Sequence, residues 1–297
     1  VRRVREQVEH VAPTRAPVLV EGEEGSGRRV AARTLHRRSG RRAGPLVWLE
    51  CRGLSDALFE TELCGSETHG SAAVPGRIEQ AEGGTLVLHG VEHLGARSQV
   101  ILLRLLQDRT FERVGGTRTL RADVRVVATA AGDLEARVRA GTFRTDLLHA
   151  LALVRIALPP LRERRDDIPL LVEGLLRELA REHGRRPRRV TRGVVERLVA
   201  HEWPGNVTEL RRVLEGLVLT AAGRGPIDVS ALPAPLRGPA RATPELRIEV
   251  GMTLEEASRA LIAATLARTG GDKPRAAEML GIGLRTLYRR LDRARRR

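Results

Sequence analysis

Two stretches of this 297-residue chain carry residues whose types and spacing bear on phosphate chemistry. GEEGSGRR, Gly22 to Arg29, lies between an apolar run and a helical pattern. Its G-x-x-x-x-G spacing is that of a loop whose backbone amides cradle phosphate oxygens at a helix N-terminus. Gly22, Gly25, Ser26, Gly27 and Arg28 are its candidate nucleotide-binding residues. Arg28 stands where such loops carry lysine, and a planar fork differs from a compact ammonium in reach and geometry. A glycine turn that merely joins strand to helix and binds nothing has the same spacing. The second stretch, GGTLVLHG, ends in His89 and Gly90. Nucleotide hydrolysis at such a strand end needs one carboxylate to hold Mg²⁺ through its waters and a neighbouring one to activate the attacking water. Histidine and glycine do neither. Glu92, two residues on, would point the same way only along a continued strand, and rescue by it is not expected.

To bring these residues together the chain needs a parallel sheet. From Val18 to about Leu158 the apolar runs VLVEG, PLVWLE, GTLVLHG, DVRVVATA and LVRIAL alternate with helical patterns, which predicts an open α/β sheet with its ligand site at the strands' carboxyl ends. That arrangement places residues 21–28 near residues 89–92. Pro159-Pro160 ends the alternation, and residues 166–222 show only helical periodicity, broken at Gly184 to Pro187 and at Trp203-Pro204-Gly205. Residues 223–250 have the Gly- and Pro-rich composition of a linker. Thr253 with Glu256 forms a capping box opening an amphipathic helix with Leu254, Ala257, Leu261 and Ala264 inward. The domain boundaries expected are therefore 1–160, 161–222, 223–250 and 251–297.

The phosphate loop, ECRGLSDALFETELCG, GRIEQAEGGTLVL, DVRVVATAAGDL, FRTDLLHALALVRIALPPLRER, WPGNVTELRRV and GGDKPRAAEMLGIGLRTLYRRL together cover most of the chain. In them it resembles the central AAA+ domain and C-terminal Fis-type helix-turn-helix of the bacterial enhancer-binding proteins that activate sigma-54 RNA polymerase. The resemblance implies a P-loop AAA+ α/β sheet, a small helical lid, a linker and an all-α DNA-binding unit. It also implies where the chemistry lies, and there the chain departs from the family. His89 and Gly90 replace the two carboxylates, Ala131 the polar sensor after the fourth strand, Ala150 the second of two trans-acting arginine fingers, and Thr208 the lid's sensor arginine. Arg144 keeps the first finger. A finger neutralises transition-state charge and is worth several orders of magnitude in rate. The Gly-Ala-Phe-Thr-Gly-Ala loop by which the family grips its sigma factor is replaced, between Glu67 and Gly76, by the shorter ETHGSAAVPG without an aromatic residue; a plain surface turn is expected there.

At the other end, PRAAEMLG, the short IG turn and LRTLYRRLDRARRR read as a helix-turn-helix. Ala276, Ala277 and Leu280 should pack on Leu284, Leu287 and Leu291. Arg285, Thr286, Arg289 and Arg290 then occupy the exposed face, where arginine pairs bidentately with guanine or holds phosphate. Arg293, with the arginines after it, adds salt-dependent backbone affinity. A basic solvated helix pair without a DNA role would share this pattern. The helix from Leu254 to Leu266 resembles the family's dimerisation helix.

Composition bounds these expectations. A net charge of +15 favours a polyanionic partner, although Lys273 is the one lysine, so part of that charge is a bias toward arginine. Aromatic content of 2% argues against base-stacking platforms for single strands. Cys51 and Cys64 lack metal-ligand spacing and read as reduced thiols, and His89 with Cys64 and His69 lacks an orienting carboxylate. Arg162, Arg164 and Arg165 read as salt links at the subdomain junction. No stretch has the length of a membrane span, and a cytoplasmic, nucleoid-associated location is expected. Val1 in place of a methionine leaves room for an upstream sensory region. The function expected is a sequence-specific, DNA-binding transcriptional regulator, a homodimer or higher oligomer on double-stranded DNA. Its AAA+ domain neither hydrolyses ATP nor engages sigma-54, requires no cofactor or metal, and holds ATP or ADP, where it holds them, without turnover. RNA polymerase or a related AAA+ subunit are further candidate partners. The alternative is an ATP-hydrolysing sigma-54 activator with atypical motifs.

Overall fold

A computed structural model describes residues 2–67, 73–221, 225–237, 253–268 and 272–295. The chain divides into two compact units, Val1–Leu236 and Arg237–Arg297. In the first, five parallel strands form one sheet: β1 (Val18–Glu21), β2 (Leu46–Glu50), β3 (Thr85–His89), β4 (Arg125–Ala130) and β5 (Val154–Ala157), in the order β2-β3-β4-β1-β5. These are the five apolar runs; the central β3, β4 and β1 are buried on both faces, as inner strands of a parallel sheet require, while the edge strands β2 and β5 are partly exposed. Alternation along β1 sorts its side chains. Val18 and Val20 pack with Val8 of helix α1 (Arg2–Val11) and with Ala31, Ala32 and Leu35 of α2 (Arg28–Arg37). Leu19 faces the opposite layer, with Phe59 and Leu63 of α3 (Asp56–Cys64) and Leu102 and Leu105 of α4 (Ala96–Asp108). The register sets Glu50 beside His89 and His89 beside Thr129, so β2, β3 and β4 end at one edge with the loop that follows β1. At the other end of β4, Arg125 is buried and donates to the carbonyls of Ala12 at 2.6 Å and Val11 at 2.9 Å, fastening the end of α1 to the sheet.

The lid is built on α6 (Ile168–Glu182), α7 (Arg192–Ala200) and α8 (Asn206–Thr220), after a short α5 (Thr145–Leu151) that belongs to the sheet unit. Ile168, Val172, Leu176, Val194, Leu198, Leu210 and Leu214 bury one stripe of each lid helix around Trp203. The expected linker beginning at residue 223 is corrected here. Ile227, Leu232 and Leu236 are buried in the lid core, and Val190 bridges Ile227. Prolines and glycines erased the periodicity that would have announced this segment, because its apolar residues enter the core one at a time, from an isolated bridge, a bend and a one-turn helix. Residues 238–252 lie outside those described.

The second unit holds α9 (Leu254–Arg268), α10 (Lys273–Met279) and α11 (Leu284–Arg295). Gly281, at φ +66°, makes the turn, a left-handed position that suits glycine. Ile262, Ala276, Ala277 and Leu287 form the core, with Leu266, Leu280 and Ile282 against it. Two expectations are corrected. Leu261 and Leu284 are exposed, and Ile262 and Leu266 take the inward face of α9, one residue round from the stripe read from the sequence. Among the described residues no helix is long and apolar enough to cross a membrane.

Candidate functional site

The phosphate loop leaves β1 and enters α2 through two glycines in the left-handed region, Gly25 at φ +77° and Gly27 at φ +107°. A side chain at Gly25 would meet the carbonyl oxygen of Gly205 at 2.2 Å, so the lid's WPGN turn lies directly against the loop. Val207 N–H donates to the Gly25 carbonyl at 3.0 Å, and the exposed Thr208 has its hydroxyl beside the same glycine. Asn206, which the sequence reading passed over within that motif, is the main fastener. Its amide donates to Glu23 at 3.1 Å and to the Glu24 carbonyl at 2.9 Å, and its oxygen accepts from Leu161 N–H at 2.7 Å.

Three arginines of LRERR complete this junction. Arg162 grips Glu23 with two hydrogen bonds of 2.6 and 2.8 Å, Arg164 donates to the Ser26 carbonyl at 2.7 Å, and Arg165 pairs with Glu202. Hydrogen bonds from Arg162 and then Asn206 hold the Glu23 carboxyl down to about 2, against an ordinary value of 4.5. A depressed folded-state value contributes stability above the ordinary value and loses it as pH falls toward the folded one. The melting-temperature difference between the unsubstituted chain and Arg162→Ala is therefore expected to be constant from about pH 7 to about pH 5 and to shrink below about pH 4. A difference independent of pH down to about 2.5 would show that the pair contributes nothing through charge.

At the sheet edge, His89 places Nδ1 2.7 Å from the Thr129 hydroxyl, and Trp48 meets its ring edge-on at 6.3 Å. Burial holds the imidazole below its ordinary value, helped by Arg29 and Arg28 and opposed by Glu50 and Glu92. Gly90 follows in a left-handed turn at φ +82°. Ala131 contributes through its backbone alone, its N–H donating to Glu92 Oε1 at 2.9 Å.

Glu92 is where the structure departs most from expectation. The strand stops at His89, and a 3-10 turn at Val91–His93 swings the buried Glu92 carboxylate back toward the phosphate loop. There it faces Arg28 at 4.0 Å, an ion pair without a hydrogen bond between two side chains 4% and 7% exposed. Burial lowers the Arg28 guanidinium from its ordinary value while Glu92, Glu24 and Glu50 oppose the shift; an arginine so placed stays charged. Arg28 Nη1, Glu92 Oε2 and Ser26 Oγ are all buried without a hydrogen-bond partner. Arg29 and Glu50 were missed in the sequence. They pair with one another at the crevice rim, with the Arg29 guanidinium 5.4 Å from the centre of the Trp48 ring. Arg29 was there to be found: it fills the last place of the phosphate-loop pattern, which elsewhere carries a metal-binding hydroxyl.

The remaining sequence-derived positions are dispersed. Arg144 precedes α5, exposed, and holds Asp146 through hydrogen bonds of 3.0 and 2.7 Å. Ala150 is half-buried against the sheet core. Cys51 and Cys64 are buried free thiols, both pushed up by burial, Cys64 to about 12, which suits packing and not nucleophilic chemistry. Residues 68–72, and His69 with them, lie outside the described residues; Gly65–Ser66 pairs with Val74–Pro75 on either side of them. Among the described residues no group of three or more His, Cys, Asp or Glu is disposed to hold a metal. On α11, Arg285, Arg289 and Arg290 are exposed and Thr286 half-exposed; the Arg293 side chain lies outside those described. Lys273 caps the Tyr288 ring at 4.9 Å, bracing α10 on α11.

A parallel sheet in this order, a glycine loop after its first strand, a helical lid on that loop and a terminal helix-turn-helix define a P-loop AAA+ unit joined to a DNA-binding module. Comparison with known proteins agrees along the chain. The sigma-54 interaction domain model matches residues 1–157, the AAA+ ATPase lid domain model residues 162–248, and the model of bacterial regulatory proteins of the Fis family residues 253–293. The chain is 37% identical to the transcriptional regulatory protein FlbD of Caulobacter vibrioides, over 98% of this chain and 68% of that protein. It is 36% identical to ZraR of Escherichia coli K12 (95% and 64%) and 39% identical to the Nif-specific regulatory protein of Azotobacter vinelandii (98% and 56%). The crystal structure of NtrX from Brucella abortus is similar at a TM-score of 0.75 and 34% identity, over 98% of this chain and 66% of that one, and NtrX has also been solved with ATP and with ADP. The chain belongs to the family of sigma-54-dependent, DNA-binding transcriptional regulators. It spans between 56% and 68% of the length of these relatives.

Proposed function

We propose that this chain is a sequence-specific, DNA-binding transcriptional regulator whose AAA+ domain is a nucleotide-responsive scaffold and not a working ATPase. The observation that carries this reading is the state of the catalytic edge. No carboxylate follows β3 directly, the sensor position is Ala131, and of the two acids beside Gly90, Glu92 is tied to the Ala131 N–H and opposed to Arg28 while Glu50 is paired with Arg29. A carboxylate so engaged is a counter-ion to the loop's cation and is not aimed at a lytic water. Ala150 in place of a finger arginine and Thr208 in place of the sensor arginine support the same reading, since transition-state charge then goes uncompensated. Without the aromatic loop between Glu67 and Gly76, the grip on sigma-54 is lost independently of hydrolysis. What the chain retains is its reader: an exposed arginine face on α11, braced by Tyr288 and Lys273. Double-stranded DNA is its partner, it acts as a dimer or larger assembly, and ATP or ADP binds without being consumed.

The alternative, hydrolysis with atypical residues, draws support from Glu92 lying inside the crevice at all. A single titration separates the two. The purified chain is expected to show no ATP turnover above the protein-free background at any protein concentration, while binding duplex DNA selectively and with strong salt dependence. Magnesium-dependent hydrolysis that vanishes in Arg28→Ala would establish the alternative.

A further inference from the structure

Magnesium at a phosphate loop takes oxygen donors, from the hydroxyl that ends the loop pattern and from carboxylates at the neighbouring strand end. In this chain those places hold Arg29, His89 and Gly90. Arg29 is a fixed cation paired with Glu50, His89 has committed Nδ1 to Thr129, and Gly90 has no side chain. Of the two carboxylates that face Gly90, Glu92 already has Oε1 on the Ala131 N–H and a guanidinium opposite, and Glu50 is paired with Arg29. A divalent cation there would lie against two guanidinium groups and would have to take Glu92 from Arg28 or Glu50 from Arg29 to gain a carboxylate ligand, so these residues do not fit magnesium.

They fit an anion. Arg28 Nη1 and Ser26 Oγ are buried donors without hydrogen-bond partners, at the amino end of a ten-residue helix entered through Gly25 and Gly27 in left-handed conformations. The space where a Gly27 side chain would stand is open. Arg28 and Glu92 are 4.0 Å apart, beyond hydrogen-bond length, and Glu92 Oε2 is unpartnered. Unsatisfied buried charges are costly, so native structures keep them where a ligand or water completes them. A phosphate oxygen drawn onto Arg28 Nη1 and Ser26 Oγ completes both donors and leaves Glu92 with its Ala131 bond.

We propose that this crevice binds the phosphates of a nucleotide without a divalent cation, Arg28 and Arg29 supplying the charge that magnesium supplies elsewhere, and Glu92 being the carboxylate that phosphate displaces from Arg28. The inference rests on the reading of the AAA+ domain as a binding scaffold and adds how it binds.

The test is calorimetric titration of the whole chain with ADP and ATP, in excess magnesium and in excess EDTA. Dissociation constants are expected to agree within about threefold between the two conditions, a difference of about 0.7 kcal/mol. Glu92→Gln, which removes the internal anion, is expected to tighten binding in EDTA by about tenfold. Arg28→Met is expected to abolish binding, and Arg28→Lys, which keeps the charge, to retain part of it. Binding seen only with magnesium, tightened by it more than about tenfold, or absent in both conditions overturns the proposal, and weaker binding by Glu92→Gln overturns the role given to that residue. Turnover is measured in the same samples. Hydrolysis would overturn the scaffold reading, whereas metal-dependent binding without hydrolysis would overturn this inference alone.

Discussion

Alanine at both Arg285 and Arg289 is expected to weaken duplex binding by about a hundredfold or more, each guanidinium that reads a base being worth about 1–3 kcal/mol. The two residues stand four apart on α11, hence on one face, and both are exposed while Leu287 between them is buried in the unit's core. Neither contributes to that core, so the helical signal and melting temperature should hold while affinity falls. The pattern of loss separates two modes. Loss confined to particular sequences identifies base contacts; a uniform loss, with the salt slope falling by about one per arginine, identifies phosphate contacts. Unchanged affinity for every duplex would remove α11 as the reader.

The second large effect is structural. Trp203→Ala is expected to cost about 3–5 kcal/mol of stability, the range for emptying a buried aromatic site. Trp203 is fully buried at the centre of the lid, donates its indole N–H to the Leu198 carbonyl at 2.7 Å, and stacks edge-on to His201 at 4.8 Å. Its backbone is at φ +53°, a conformation rarely adopted by a large side chain, and Asn206 follows at φ +52°. The turn is thus held by what surrounds it, and the same turn carries the Asn206 bonds to Glu23 and Leu161. Losing the indole should release the lid from the phosphate loop as well as loosen its core. Denaturant titration reads the loss of core stability, and proteolysis around residues 203–206 reads the release of the turn. A loss under about 1 kcal/mol would mean the cavity collapses freely and the turn is held by Asn206 alone.

The lesson of Glu92 bears on both readings of the AAA+ domain. Spacing along a strand was the only way to place it from the sequence, and spacing was misleading because the strand stops at His89 and a 3-10 turn redirects the chain. The same turn puts Gly90 in a left-handed conformation, so two of the positions that matter for phosphate chemistry are governed by backbone geometry that side-chain identity does not encode. The lid boundary failed for a related reason. Ile227, Leu232 and Leu236 reach the core from an isolated bridge, a bend and a one-turn helix, each too short for a period of two or 3.6 to mark it.

Local chemistry was enough to determine the five strands, the phosphate loop, the glycine turn of the reader and the identities missing from the catalytic edge. Each is written in consecutive residues: an apolar run, a glycine spacing, an absent carboxylate. Tertiary structure alone decided which charges meet. Arg28 with Glu92, Arg29 with Glu50, and Arg162 with Glu23 join residues 21 to 139 positions apart in the chain. Those pairings follow from strand order and from the seating of the lid on the loop, and ion pairing between distant residues depends on distance and burial, which no stretch of sequence specifies.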